Sequence, residues 1–155
     1  DAGGLSAIGT AVEALAPRAG RLVVTPHPGE MARLAGISVA QVLQMPADVA
    51  LGFARKTGAV TVLKGHRTLV ATPDGRLYRN TTGNAGLARG GSGDILAGMV
   101  AGLAAQGLSP EAAAVCGVWL HGAAADVCAA RHSMQGMLPE DILQGLCAVF
   151  LENGR

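Results

Sequence analysis

Only four of the 155 residues are aromatic: one Trp, one Tyr and two Phe. That is too few for the stacking platforms on which single-stranded nucleic acids or sugars lie. Charge is equally sparse. Asp, Glu, Lys and Arg make up 15% of the chain, and the net charge is +1. A field that weak gives no broad attraction to nucleic acid or to an acidic membrane surface. No secretory signal is visible. No apolar run reads as long enough to cross a bilayer, because Gln106 and His121 interrupt the candidates and Asp94 and Asp126 flank them. Cys116, Cys128 and Cys147 are odd in number and lack a CxxC spacing, so they read as buried, reduced thiols of a cytoplasmic protein. His27, His66, His121 and His132 form no i,i+4 pair and no HExxH pattern, which argues against zinc.

What the chain does have is small residues. Ala (29) and Gly (23) supply a third of it, and half of all residues are apolar. A core is therefore available, packed by close backbone approach, and the length suits one domain over residues 1–155. The first residue is Asp, and Asp1-Ala-Gly-Gly-Leu5 reads like the interior of a longer sequence. The expectation is a domain truncated at its N-terminus.

Apolar spacing predicts a helix over residues 5–16, carrying Leu5, Ile8, Val12 and Leu15 on one face and ended by Pro17 and Gly20. Residues 21–25 read as a buried strand stopped by Pro26 and Pro28, with a short helix over 30–35. A helical pattern over 39–56 breaks or restarts at Pro46, and residues 59–63 form a second β-branched strand. Residues 68–72 and 76–79 flank Pro73-Asp-Gly75, a hairpin signal. Residues 81–93 are too glycine-rich for regular structure. Helices follow over 92–106, from Ser109-Pro-Glu111 to about His132, and from Leu138-Pro139-Glu140 to about Leu151. Alternating strands and helices with an all-helical end indicate an α/β sandwich whose few strands leave an open edge.

The segment Gly83-Asn-Ala-Gly-Leu-Ala-Arg-Gly-Gly-Ser-Gly-Asp94 runs directly into an apolar helix. Glycines leave backbone N–H groups unshielded, and a helix start adds further unpaired N–H groups with a partial positive charge. Together they suit an anion, most often phosphate. A carboxylate beside phosphate is repelled, unless it removes the proton from a hydroxyl that attacks phosphorus. No Gly-Lys-Ser/Thr follows, so this is not a Walker loop. No strand leads straight into it, so it is not a dinucleotide fingerprint. The bland alternative is a flexible loop with Asp94 favoured by the helix dipole.

The run from Gly83 to Gly98 resembles the signature of the NAD(P)H-hydrate dehydratase family, a branch of the ribokinase-like superfamily. Thr25-Pro-His-Pro-Gly-Glu30 and Val62-Leu-Lys-Gly-His-Arg-Thr68 are similar to two further family segments, in the same order and spacing. The resemblance implies a ribokinase-like three-layer α/β/α sandwich lacking its N-terminal strands. It implies ADP- or ATP-dependent repair of (S)-NADH-hydrate or NADPH-hydrate, with Mg²⁺. Asp94 is then the catalytic base and touches the hydrate, as do His27 and Asn84. Lys64, Gly65, His66, Arg67 and Thr68 hold the nucleotide, with Gly91, Ser92 and Gly93 around the transferred phosphoryl. Glu30 organises Mg²⁺ indirectly. A homo-oligomer and a fused or separate epimerase are implied partners. Gly3 stands where the family carries a second acid. The stretch 1–155 alone is expected to bind hydrate weakly or not at all. A ribokinase-like kinase of a thiazole or hydroxymethylpyrimidine alcohol, and a non-catalytic domain of the same fold, remain alternatives.

Overall fold

The computed structural model describes residues 1–9 and 11–153. A four-stranded sheet, β1 (Val23–Val24), β2 (Val60–Leu63), β3 (Leu69–Ala71) and β4 (Leu77–Arg79), is ordered as in the sequence. β1 and β2 are parallel, with Val23 opposite Val60. The other two neighbouring pairs are antiparallel, with Val62 opposite Val70 and Leu69 opposite Arg79. The predicted Asp-Gly hairpin is thus β3–β4, with Gly75 at φ +96°.

Side-chain alternation along the strands divides the core into layers. Val24, Leu63, Leu69 and Ala71 face α1 (Ala2–Ile8), α2 (Pro28–Ala35), α3 (Val39–Gln44) and α4 (Pro46–Thr57). Val60, Val62 and Val70 face the other way, onto α5 (Ser92–Ala105) and α6 (Pro110–Gly136). α7 (Asp141–Asn153) packs outside α6 through Ile142, Val149, Ala124 and Cys128. This is the three-layer order expected of the sequence, and Pro46 does open a new helix.

Close approach replaces bulk in this core. A Cβ on Gly145 would sit 2.3 Å from the Ala124 carbonyl oxygen, and one on Gly117 would sit 2.7 Å from Val100 Cγ2. Neither position accommodates a side chain without displacing its neighbour.

Four expectations are corrected. The helix over 5–16 is two pieces, α1 and a 3₁₀ segment Val12–Arg18, parted at Gly9 (φ 56°). Leu5, Val12 and Leu15 still reach the core, because tertiary burial does not require them to share one helix. β1 is two residues long, not five. Cys116 and Cys147 are exposed and only Cys128 is buried, because α6 and α7 each turn one side to solvent. Finally, α6, at 27 residues, is long and apolar enough to cross a membrane by length and composition alone, even though His121 interrupts it. Its apolar window is half buried between α5 and α7, so here it serves as a core helix.

Candidate active site

Parallel pairing brings the carboxyl ends of β1 and β2 to one edge of the sheet, where open α/β sheets bind ligands. The Lys64 N–H donates to the Pro26 carbonyl at 2.9 Å. That bond sets the start of the predicted lysine turn beside the predicted His27–Glu30 segment.

His27 caps α2. Its Nδ1 accepts from the Gly29 and Glu30 N–H groups at 3.0 and 3.3 Å, and the Glu30 carboxylate accepts from the His27 N–H at 2.7 Å. A neutral ring accepting at Nδ1 carries its proton on Nε2. His27 is exposed and Glu30 is buried, and the other ring nitrogen, Nε2, lies 3.7 Å from Glu30 Oε2.

Lys64 Nζ lies 2.7 Å from Asp1 Oδ1 and 3.9 Å from Glu30 Oε2. Burial lowers its pKa, and the nearby charges of Glu30 and Asp94 oppose that shift. A Cβ on Gly93 would sit 3.2 Å from this ammonium and 3.5 Å from Asp1 Oδ2. The start of α5 therefore rests directly on the lysine. Asp94 is exposed in the first turn of α5 and close enough to Lys64 to act on its charge.

The glycine loop is shaped for α5 to begin open. Gly91, at φ 92°, precedes Ser92 and supplies no side-chain cap. The Ser92 N–H turns back to the Arg89 carbonyl at 3.3 Å, and the Asp94 N–H to the Gly91 carbonyl at 3.1 Å. Among the described residues the Gly90, Gly91 and Gly93 N–H groups have no such partner. The free amides are thus three glycines, and Ser92, expected among the phosphate donors, is engaged through its own N–H. A 3₁₀ turn, Ala85–Leu87, lies inside the loop whose glycine content predicts no regular structure.

Three cavities border the lysine turn, one of them, about 340 Å³, between His66 and Arg67 and residues 79–83; the other two flank it. One of about 400 Å³ lies between Gly65, His66 and Thr68, the 82–88 loop, and Val118, His121 and Gly122 of α6. A second, about 250 Å³, lies between Lys64–Arg67 and the apolar side chains Val42, Leu43 and Pro46. Residues 64–68 therefore sit together between the two. Asn84 pairs with a different carboxylate from the one that holds Lys64. Its Nδ2 donates to Asp126 Oδ1 at 2.9 Å, and its Oδ1 accepts from the Gly86 N–H at 3.0 Å.

Three site residues carry no signal in the sequence. Asp1, the partner of Lys64, is the first acid of a segment whose second acid is replaced by Gly3, and nothing in the sequence pairs it with the lysine. His121 and Asp126 lie in an alanine-rich helix that reads as core. His121 is 7% exposed, lines the larger cavity, and its Nε2 has no partner among the described residues. Burial pushes its pKa down to about 4; a backbone hydrogen bond with Ser92 resists the shift and Lys64 adds to it. No group of three or more His, Cys, Asp or Glu among the described residues could hold a metal by itself.

The model of one protein family, NAD(P)H-hydrate dehydratase, matches residues 1–147. A bifunctional NAD(P)H-hydrate repair enzyme of Moorella thermoacetica is 48% identical over 146 residues, which is 94% of this chain and 28% of that protein. An ADP-dependent (S)-NAD(P)H-hydrate dehydratase of Neisseria meningitidis is 50% identical over 129 residues, 82% of this chain and 44% of that protein. The crystal structure of an ADP/ATP-dependent NAD(P)H-hydrate dehydratase from Bacillus subtilis, co-crystallised with ATP and Mg²⁺ and soaked with CoA, superposes with a TM-score of 0.80 at 36% identity. That match covers 86% of this chain and 53% of the solved one. The chain thus spans between about a quarter and a half of the proteins it matches.

Proposed function

The chain belongs to the NAD(P)H-hydrate dehydratase family, and from that premise we propose that it carries the phosphoryl-transfer half of an ADP- or ATP-dependent (S)-NAD(P)H-hydrate repair site. One observation carries this reading. At the uncapped start of α5, whose Gly90, Gly91 and Gly93 amides lack a backbone partner among the described residues, Gly93 rests on Lys64, with Asp94 in the first turn of the helix.

In the proposed reaction Asp94 takes the proton of the hydrate hydroxyl, and the freed oxygen attacks the terminal phosphorus of the nucleotide. The bond from that phosphorus to its bridging oxygen breaks, and the shortened nucleotide leaves with the bond's electron pair. The Gly91 and Gly93 amides and Lys64 hold the migrating phosphoryl, whose charge they match. The phosphorylated ring then loses phosphate from one carbon and a proton from its neighbour, which restores the dihydronicotinamide. The fixed Nε2–H of His27 orients the hydrate, and residues 65–68 hold the nucleotide across the cavity mouth.

Mg²⁺ fits this donor set only indirectly. The described residues offer no cage, and the Glu30 carboxylate is already shared with the His27 N–H and Lys64. Were Mg²⁺ to bind with the nucleotide, Glu30 is the residue that would hold it, through water, and the ion would shield phosphate oxygens. A cytoplasmic homo-oligomer is part of the proposal, supported by the exposed Leu143, Phe150 and Leu151 of α7. So is a companion epimerase. Because the chain spans only part of its relatives' length, residues 1–155 alone are proposed to hold nucleotide better than hydrate.

The test mixes hydrated NADH, nucleotide, Mg²⁺ and the protein and follows absorbance at 340 nm. Nucleotide-dependent recovery is expected of the complete protein, and little or none of residues 1–155 alone. No recovery, together with phosphorylation of a thiazole or hydroxymethylpyrimidine alcohol, would transfer the site to the kinase reading.

A further inference from the structure

Asp126 lies on α6, one helical turn beyond Gly122, and its carboxylate reaches out to the glycine loop. Oδ2 accepts from the Gly83 N–H at 2.8 Å and Oδ1 accepts from Asn84 Nδ2 at 2.9 Å. Asn84 passes the contact on, because its own Oδ1 accepts from the Gly86 N–H at 3.0 Å. The far end of the loop is tied to the same helix and its exit. Arg89 donates to the Met137 carbonyl at 2.6 Å and to the Gln135 carbonyl at 2.9 Å. Between these two ties the backbone cannot stand off from the helix. A Cβ on Gly86 would lie 2.5 Å from Met137 Sδ and 2.8 Å from the Met134 carbonyl oxygen. The three free amides hang from the downstream end of this bracketed loop. A surface carboxylate that merely solvates the helix has no reason to engage two donors in fixed geometry.

We propose that Asp126 is a positioning residue for the phosphate loop, and that Asn84 acts through Asp126 and does not touch the hydrate. This rests on the phosphoryl-transfer reading of the loop, but its structural part can be measured without that reading.

The contacts define a polarity that can be reversed. In Asp126→Asn an amide faces two donors that need acceptors, and in Asn84→Asp two carboxylates face one another. Each single change breaks the tie. In the double variant Asn84→Asp/Asp126→Asn, the new Asn side chain donates to the new Asp side chain. Its oxygen still accepts from the Gly83 N–H, and the new carboxylate still accepts from the Gly86 N–H. All three hydrogen bonds return at unchanged net charge.

Amide hydrogen exchange over residues 83–93 is measured for the four proteins, each the complete protein that contains residues 1–155, with kcat and nucleotide KM for hydrate repair, at a temperature where all four are folded. Both singles are expected to lose protection over 83–93 and to lose roughly tenfold or more in kcat, with a smaller change in KM, because aligned donors act in the transition state. The double is expected to regain protection and to return within about threefold of the original kcat, as restored coupling requires. Singles that exchange and turn over like the parent would overturn the proposal. So would a double no better protected than the worse single. A double that regains protection but stays inactive would also overturn it, by returning Asn84 to the hydrate. A parent protein that repairs no hydrate would count against the proposed function alone, since the exchange comparison would still read the tie.

Discussion

Replacing Gly122 with Ala, in the middle of α6, adds one methyl group where the structure has no room for it. The new Cβ would stand 2.3 Å from Thr82 Oγ1 and 2.6 and 2.7 Å from the Thr82 carbonyl carbon and oxygen. A side-chain hydroxyl can rotate away, but the backbone must retreat by about 0.8 Å to reach an ordinary 3.4 Å contact. Thr82 is not free to do so. Its hydroxyl donates to the Trp119 carbonyl at 2.9 Å, and its own carbonyl accepts from Asn80 Nδ2 at 2.9 Å. Overpacking of this kind costs about 1–3 kcal/mol, and each disturbed hydrogen bond adds up to about 1 kcal/mol. The better helix propensity of Ala returns about 1 kcal/mol. The net expectation is a loss of roughly 1–3 kcal/mol, or about 3–10 °C in thermal midpoint for a chain of this size. Gly98→Ala is the matched control. It too lies within a helix, but its Cβ would meet nothing within 4 Å, so it should stabilise by roughly 0.5–1 kcal/mol. Calorimetric midpoints of the two variants should therefore move in opposite directions. A Gly122→Ala protein as stable as Gly98→Ala would refute the claim that this core depends on backbone contact at α6.

Three further outcomes follow from the site. Asp94→Asn should lose roughly a hundredfold or more in turnover at 340 nm while still binding nucleotide in titration calorimetry, since it removes a proton acceptor and little else; undiminished turnover would reject the base. Gly93→Ala should leave the thermal midpoint nearly unchanged, because its Cβ meets the flexible end of Lys64 3.2 Å away, yet weaken nucleotide binding about tenfold or more by filling the anion seat; equal affinity would place the phosphates elsewhere. His121 should make the protein acid-sensitive. Its folded pKa, about 4, lies below the ordinary 6.5, so the unfolded chain binds the extra proton, and stability falls as pH drops from about 6.5 toward 4. The loss by pH 5 should be about 2 kcal/mol in urea titrations. His121→Gln should flatten this dependence, and an unflattened profile would assign the acid sensitivity to other groups.

Features that depend on residues near one another in the chain are legible in the amino-acid sequence itself. Asp74-Gly75 needs only local backbone freedom to turn β3 into β4. Pro46 has no N–H to continue a helix, so α3 stops and α4 starts there. The glycines before Asp94 announce an open helix start, because no folded context is required to see that their amides lack shielding. The single helix expected over 5–16 gives way for a converse reason: its apolar spacing is right, but Gly9 bends the backbone while burial still gathers Leu5, Val12 and Leu15. Contacts across long separations leave no trace in the sequence. Lys64 and Asp1 are 63 positions apart, and Gly83 and Asp126 are 43 apart. Only the packing of α6 against the glycine loop decides that Asn84 faces a helix carboxylate. Only the meeting of β2 with α5 decides that Lys64 lies beneath Gly93. Sequence spacing carries local conformation because backbone sterics act over a few residues, whereas the distances between charged groups belong to the assembled layers.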